Sequence, residues 1–137
     1  MANPHGSFIW YELMSGDPDA SKKFYDDVVG WKVGAKPPGD MDYRMISAPD
    51  GDVGGVLRLT EEMRKHGAHP VWLGYFGVDD VDKTVAKITA AGGSYVTGRK
   101  ETNPNVYYEV KYKTPEGIVF DVTESGWKGA VKDVKPA

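Results

Sequence analysis

The most constraining feature of this sequence is that it runs through one order of signals twice. The first pass opens on Phe8-Ile9-Trp10-Tyr11-Glu12-Leu13, an aromatic and β-branched run that predicts a strand. Asp17 then stands as an N-cap with Pro18 at the first helical position. Phe24, Tyr25, Val28 and Val29 follow at helical spacing, Gly30 ends the helix, and Trp31-Lys32-Val33 opens a strand. The second pass begins at Trp72–Val78. Asp79 or Asp80 caps its helix, Val81, Val85, Ile88 and Ala91 form the apolar stripe, and Gly92-Gly93 stop it before Ser94-Tyr95-Val96. An ungapped offset of 63 aligns Asp17 with Asp80, Asp19 with Asp82, Gly30 with Gly93 and Val33 with Val96. Farther on, Pro49-Asp50-Gly51 matches Pro115-Glu116-Gly117 at an offset of 66, and both read as hairpin turns. The flanking strands are expected at 43–48 and 53–59, then at 106–113 and 118–124.

A chain of 137 residues is about one domain's length, and 40% hydrophobic with 27% charged residues is ordinary for a globular core. The reading is a single domain, 1–137, with unit one at about 5–60, unit two at about 70–125 and a polar tail at 126–137, whose Trp127 could dock on the domain. The polar stretch Thr60 to Pro70 marks the boundary between units. A net charge of -3 favours neither nucleic acid nor an acidic membrane surface, and no apolar run approaches a membrane span. The first six residues lack the pattern of a signal peptide, so a cytoplasmic location is expected. With no Cys there is no disulfide, thiolate nucleophile or Cys-ligated zinc.

These residues carry a resemblance. Phe8–Leu13, Asp17, Phe24-Tyr25 and Gly30-Trp31 look like the first half of glyoxalase-like proteins of the vicinal oxygen chelate superfamily (the glyoxalase/bleomycin resistance/dioxygenase group). Val78–Asp82, Gly92-Gly93 and Thr114–Asp121 look like the second half, so the similarity spans about residues 5–125. It implies an α+β fold of two βαβββ units forming an incomplete barrel around a cleft, with the helices on the outer faces. Strand alternation then sorts the side chains. Tyr11, Leu13, Phe76, Val78, Phe120 and Val122 should face the helices, and Trp10, Glu12, Leu73, Tyr75 and Asp121 the cleft.

The resemblance also places metal ligands in metal-using members, as His, Gln or Glu on the first and last strands of each unit. Here those positions fall at Trp10, near Leu73, within Gly54 to Leu59, and at Asp121. One carboxylate in four positions does not make the family's centre, so no metal and no cofactor are expected. His66 and His69 lie three apart in the polar boundary segment with Glu62 as the nearest further ligand, and His5 precedes the first strand. All three read as loop histidines.

Glu12 and Asp121 are the candidate acid and base, since a carboxylate in a partly apolar cleft tends to hold its proton more tightly. Each has a structural alternative: hydrogen bonding for Asp121, and pairing with Arg44 or Arg58 across the sheet for Glu12. Trp10, Leu73, Tyr75, Tyr107, Tyr108, Arg44 and Arg58 are the candidate substrate contacts, with only one of the two adjacent tyrosines able to face inward. Tyr11, Phe24 and Trp31 are assigned to core packing, and Lys22-Lys23 with Asp26-Asp27 to a solvated helix face. Two functions follow: a metal-independent module binding a small, aromatic molecule, or an atypical lyase, isomerase or hydroxylase-like enzyme using Glu12 and Asp121. The partners expected are a small-molecule ligand and, from the superfamily's habit, a second copy in a homodimer.

Overall fold

The computed structural model describes residues 3–98 and 109–124. Its elements are β1 (Ser7–Ser15), α1 (Pro18–Val29), β2 (Lys32–Val33), β3 (Tyr43–Ala48), β4 (Gly51–Arg58), α2 (Glu61–Lys65), β5 (Val71–Val78), α3 (Val81–Ala90), β6 (Ser94–Gly98), β7 (Glu109–Lys113) and β8 (Val119–Glu124). The βαβββ order therefore occurs twice, and the fold class is α+β as expected. The caps are the ones the sequence marks. Asp17 accepts a hydrogen bond from the Ala20 amide and Asp80 from the Lys83 amide, while Gly30 closes α1 in the left-handed region at φ 80°.

The chain divides into two compact units, the first Tyr11–Leu73, the second drawing on Met1–Trp10 and Gly74–Ala137. In the first unit the strand order is β2-β3-β4-β1, with β1 parallel to β4 and the β3–β4 hairpin antiparallel. In the second it is β6-β7-β8-β5, with β5 parallel to β8 and the other pairs antiparallel. The opening residues of β1 belong to this second unit. There the Gly6 N–H donates to the Gly77 carbonyl, and the Phe8 and Phe76 rings lie 4.6 Å apart.

Each unit packs its helix on one sheet face. Leu13, Val33, Ile46 and Val56 form the first core, with Tyr25, Trp31 and Val53 against it. Val78, Val81, Val110, Tyr112 and Val122 form the second, with Phe76, Val85, Ile88 and Phe120 against it. Burying one such aliphatic side chain contributes about 1.5–3 kcal/mol. The facing expected for Leu13, Phe76, Val78, Phe120 and Val122 is what these clusters show.

Four details differ from the sequence reading. Phe24 and Tyr11, assigned to the core, are 55% and 44% exposed. Helix α1 instead turns Pro18, Ser21, Lys22, Tyr25 and Asp26 inward. That rotation takes Lys22 and Asp26 out of the solvated face: they pair at 2.7 Å, the Lys22 ammonium also donates to the Val33 carbonyl, and Asp26 accepts from the Val33 amide at 2.9 Å. Lys23 and Asp27 do remain exposed. The boundary segment contains α2, which Thr60 caps by accepting from the Met63 amide. Finally, the β3–β4 register jumps from Ile46↔Gly54 to Ser47↔Asp52, so Val53 is an extra residue in β4. This bulge lets Val53 reach the α1 side, where strict alternation would turn it away.

Candidate functional site

On the sheet faces away from the helices, the strand registers align one cross-strand row in each unit. In the second unit it is Tyr75↔Asp121↔Lys111. In the first it is Glu12↔Gly55↔Met45. The offsets are those of the repeat: Glu12 to Tyr75 is 63, and Gly55 to Asp121 and Met45 to Lys111 are each 66.

The second-unit row is charged and buried. Asp121 is 2% exposed and Tyr75 4%, and Thr123, two residues along β8, is 1%. The Lys111 ammonium donates to both carboxylate oxygens of Asp121, at 2.9 and 2.8 Å. Burial pushes the Asp121 carboxyl up from its usual value, and the adjacent ammonium pulls it back. The sequence reading placed Asp121 inward but missed Lys111. Its signal was its position on the facing hairpin strand, where opposite charges meet directly across an antiparallel pair.

The first-unit row is different. Gly55 has no side chain, and a Cβ built there would come within 2.2–2.3 Å of the Tyr43 ring and hydroxyl. The Tyr43 phenol thus covers the place that corresponds to Asp121. Glu12 is 6% exposed, and Leu73, on the β5 residues of this unit, is 2% exposed. Trp10 belongs to the second unit, is 2% exposed, and is a member of neither apolar cluster.

The two arginines lie elsewhere. Arg44 is cross-strand from Val56, so it shares the α1 side with that core residue, opposite Glu12. It donates to both Asp42 oxygens, at 2.9 and 3.1 Å, and to Asp19 in the first turn of α1 at 2.8 Å. The Arg44 and Asp42 side chains are each 2% exposed. These hydrogen bonds hold the Asp42 carboxyl below the usual carboxylate range. Arg44 thus ties α1 to β3, and the carboxylates it pairs with are not Glu12. Arg58 is exposed at the end of β4. Tyr107, Tyr108 and Trp127 lie outside the described residues.

The four positions that hold a metal in metal-using members carry the wrong side chains here. The first-strand positions are Trp10 and Leu73, and the last-strand pair resolves by register to Gly55 and Asp121. Indole, isobutyl and hydrogen side groups offer no metal donor, and Asp121 spends both oxygens on Lys111. Among the described residues no three His, Cys, Asp or Glu side chains come together. His66 sits near the Glu62 backbone carbonyl, 2.9 Å from Nδ1, and the Asp79 amide donates to His5 Nδ1 at 3.1 Å. The family's metal therefore does not fit these positions. No helix among the described residues is long and apolar enough to cross a membrane.

On the α1 side of the first unit, Tyr11, Trp31, Ile46, Val53 and Trp72 line an open pocket of about 280 Å³. Its aromatics interlock: Tyr25 stacks on Trp31 at 5.3 Å, and the Trp72 indole N–H donates to the Tyr25 hydroxyl at 3.2 Å.

Comparisons with known proteins give a family. CFP32 of Mycobacterium tuberculosis is 34% identical over 123 residues, covering 89% of this chain and 45% of that protein. The anthracycline biosynthesis protein DnrV of Streptomyces peucetius is 28% identical over 102 residues, covering 66% of this chain and 37% of that protein. The chain thus spans less than half the length of these two curated relatives. Among solved structures, a Mn(II)-bound glyoxalase from Novosphingobium aromaticivorans superposes with a TM-score of 0.60 at 20% identity, over 95% of this chain and 42% of that one. That likeness is one of fold. The signature of the Glyoxalase/Bleomycin resistance protein/Dioxygenase superfamily matches residues 7–122, and to that superfamily this chain belongs.

Proposed function

We propose that this chain binds a small aromatic molecule without a divalent metal, as a bleomycin-resistance-like member of its superfamily. The observation that carries the reading is the Tyr75–Asp121–Lys111 row. A buried carboxylate there is already neutralised by an ammonium, beside a buried aromatic ring. A metal would have to displace that ammonium, and Trp10, at the first-strand position of the same unit, offers it no donor. Tyr75 and Trp10 are the aromatic rings of this unit that we assign to a flat ligand. DnrV is named for the biosynthesis of anthracyclines, which are fused-ring aromatics, and this supports the same class here. The working form we propose is a cytoplasmic homodimer, on the superfamily's tendency to pair.

The test is metal analysis of untagged protein, with melting temperatures measured in Ni, Co, Mn, Zn and Fe(II), then in a panel of fused-ring aromatics. Binding to the native state raises the melting temperature by mass action. We expect no stoichiometric metal, no metal-induced rise, and a rise with at least one aromatic. One tightly held metal per chain with a clear rise overturns the proposal.

A second reading is an atypical lyase, isomerase or hydroxylase-like enzyme in which Asp121 moves a proton next to a carbonyl. The raised proton affinity of Asp121 favours it. Glu12 as the partner acid rests on the sequence pattern alone. Turnover of a carbonyl substrate that survives both Asp121→Asn and Glu12→Gln would remove this reading.

A further inference from the structure

We infer that Lys111 is an anion anchor, receiving a carboxylate or enolate oxygen of an aromatic small molecule that lies along the Tyr75 row of the second unit. The inference rests on the ligand-binding reading above and adds the chemical group that the ligand must carry.

Burying an ionised carboxylate and an ammonium together is unfavourable unless both are well paired, and an apolar pair of similar volume commonly serves packing as well. The first unit shows that this sheet does not need the pair. At the positions equivalent to Lys111 and Asp121 it carries Met45 and Gly55. The charges are therefore specific to the second unit.

The cation is the member of the pair that reaches solvent. The Lys111 side chain keeps 17% exposure against 2% for Asp121. An ammonium has three donors and no acceptor. Among the described residues its hydrogen-bond acceptors are the two oxygens of one carboxylate, so donor capacity remains for a third oxygen. Asp121 holds the ammonium in place and offsets part of its charge. Tyr75 stands in the same row, cross-strand from Asp121. Such a site selects an aromatic anion over a neutral or cationic analogue.

The experiment titrates the full chain with benzoate, benzamide and benzylammonium, following the amide signals of Val110, Tyr112, Phe120 and Val122 by NMR. Benzoate is expected to move these signals and to bind about tenfold more tightly than benzamide, the size of one charge-assisted hydrogen bond. Lys111→Met should abolish that preference, and Lys111→Arg should keep most of it. Asp121→Asn releases the ammonium from its internal partner and should tighten benzoate binding several-fold. This second variant keeps the test sharp should Lys111→Met fail to fold. Equal binding of benzoate and benzamide, or a preference for benzylammonium, overturns the anchor and leaves the ligand-binding reading standing. No response to any of the three overturns the anchor, and the fused-ring panel alone then decides the ligand-binding reading.

Discussion

The two units share a topology and differ in where each buries its charges. The first hides Arg44 and Asp42 on the helix side, where the repeat offset of 66 gives the second unit Val110 in place of Arg44. The second hides Lys111 and Asp121 on the opposite side, where the first has Met45 and Gly55 under the Tyr43 ring. The first network ties a helix to its sheet and has an exposed outer partner in Asp19. The second joins two neighbouring strands and ties no helix down. One scaffold thus places a buried ion pair once on the helix side of its sheet and once on the opposite side.

The largest expected effect breaks the parallel β1–β4 pairing of the first unit. A Cβ at Gly54 would meet the Tyr11 carbonyl oxygen at 1.9 Å, and backbone cannot yield as a side chain can. Gly54→Ala should cost about 3 kcal/mol or more in urea unfolding, with no rescue from side-chain truncation nearby. Next comes the Arg44–Asp42 pair. Asp42→Ala should cost about 3 kcal/mol, because the guanidinium keeps only its exposed partner Asp19, while Arg44→Met with Asp42→Ala should cost less than the sum of the two. If the double variant is strictly additive, the contrast with Val110 is not one of coupled charge. Gly55→Ala should cost about 2 kcal/mol by colliding with the Tyr43 ring, and Tyr43→Ala should recover part of it. An unperturbed Gly55→Ala would mean that the phenol does not fill the place of Asp121.

The smallest effect is in pH. Asp42 binds its proton less tightly folded than unfolded, its hydrogen bonds from Arg44 being the main cause. Its stabilisation is present above the unfolded value of 3.8 and is lost as pH falls through the lowered folded value. Asp121 has the opposite sign. Burial raises its folded value, so its contribution falls as pH rises from 3.8 through that raised value. Urea titrations across acid pH should show Asp42→Asn flattening the first slope and Asp121→Asn the second. The same sign in both would erase the distinction between the units.

The sequence carried most of the fold, because caps and stops are local chemistry. Asp17, Asp80 and Gly30 act where their residue types say they should. It carried less of the site, because site residues meet through registers that lie between strands. Asp121 could be placed inward by alternation along β8, but its partner needed the β7–β8 pairing. Arg44 was placed with the ligand contacts, yet Asp42 two residues earlier was the better guide to its partner. Helix α2 escaped because five residues with no buried side chain give no periodicity, although Thr60 and Met63 stand at capping-box spacing. The bulge at Val53 left no mark that alternation could read.

The opening of β1 carries a cost in time. His5 meets the Asp79 amide across 74 positions of chain, and Gly6 and Phe8 likewise find partners in β5. During synthesis these residues leave the ribosome before β5 and must wait for it before they can pair. Until then Phe8 has no Phe76 to cover it, so a chain stalled before β5 would display a sticky, unpaired strand start. β1 is made before β5 yet is completed only after it, and a chaperone that samples nascent chains would find the start of this strand exposed in the interval.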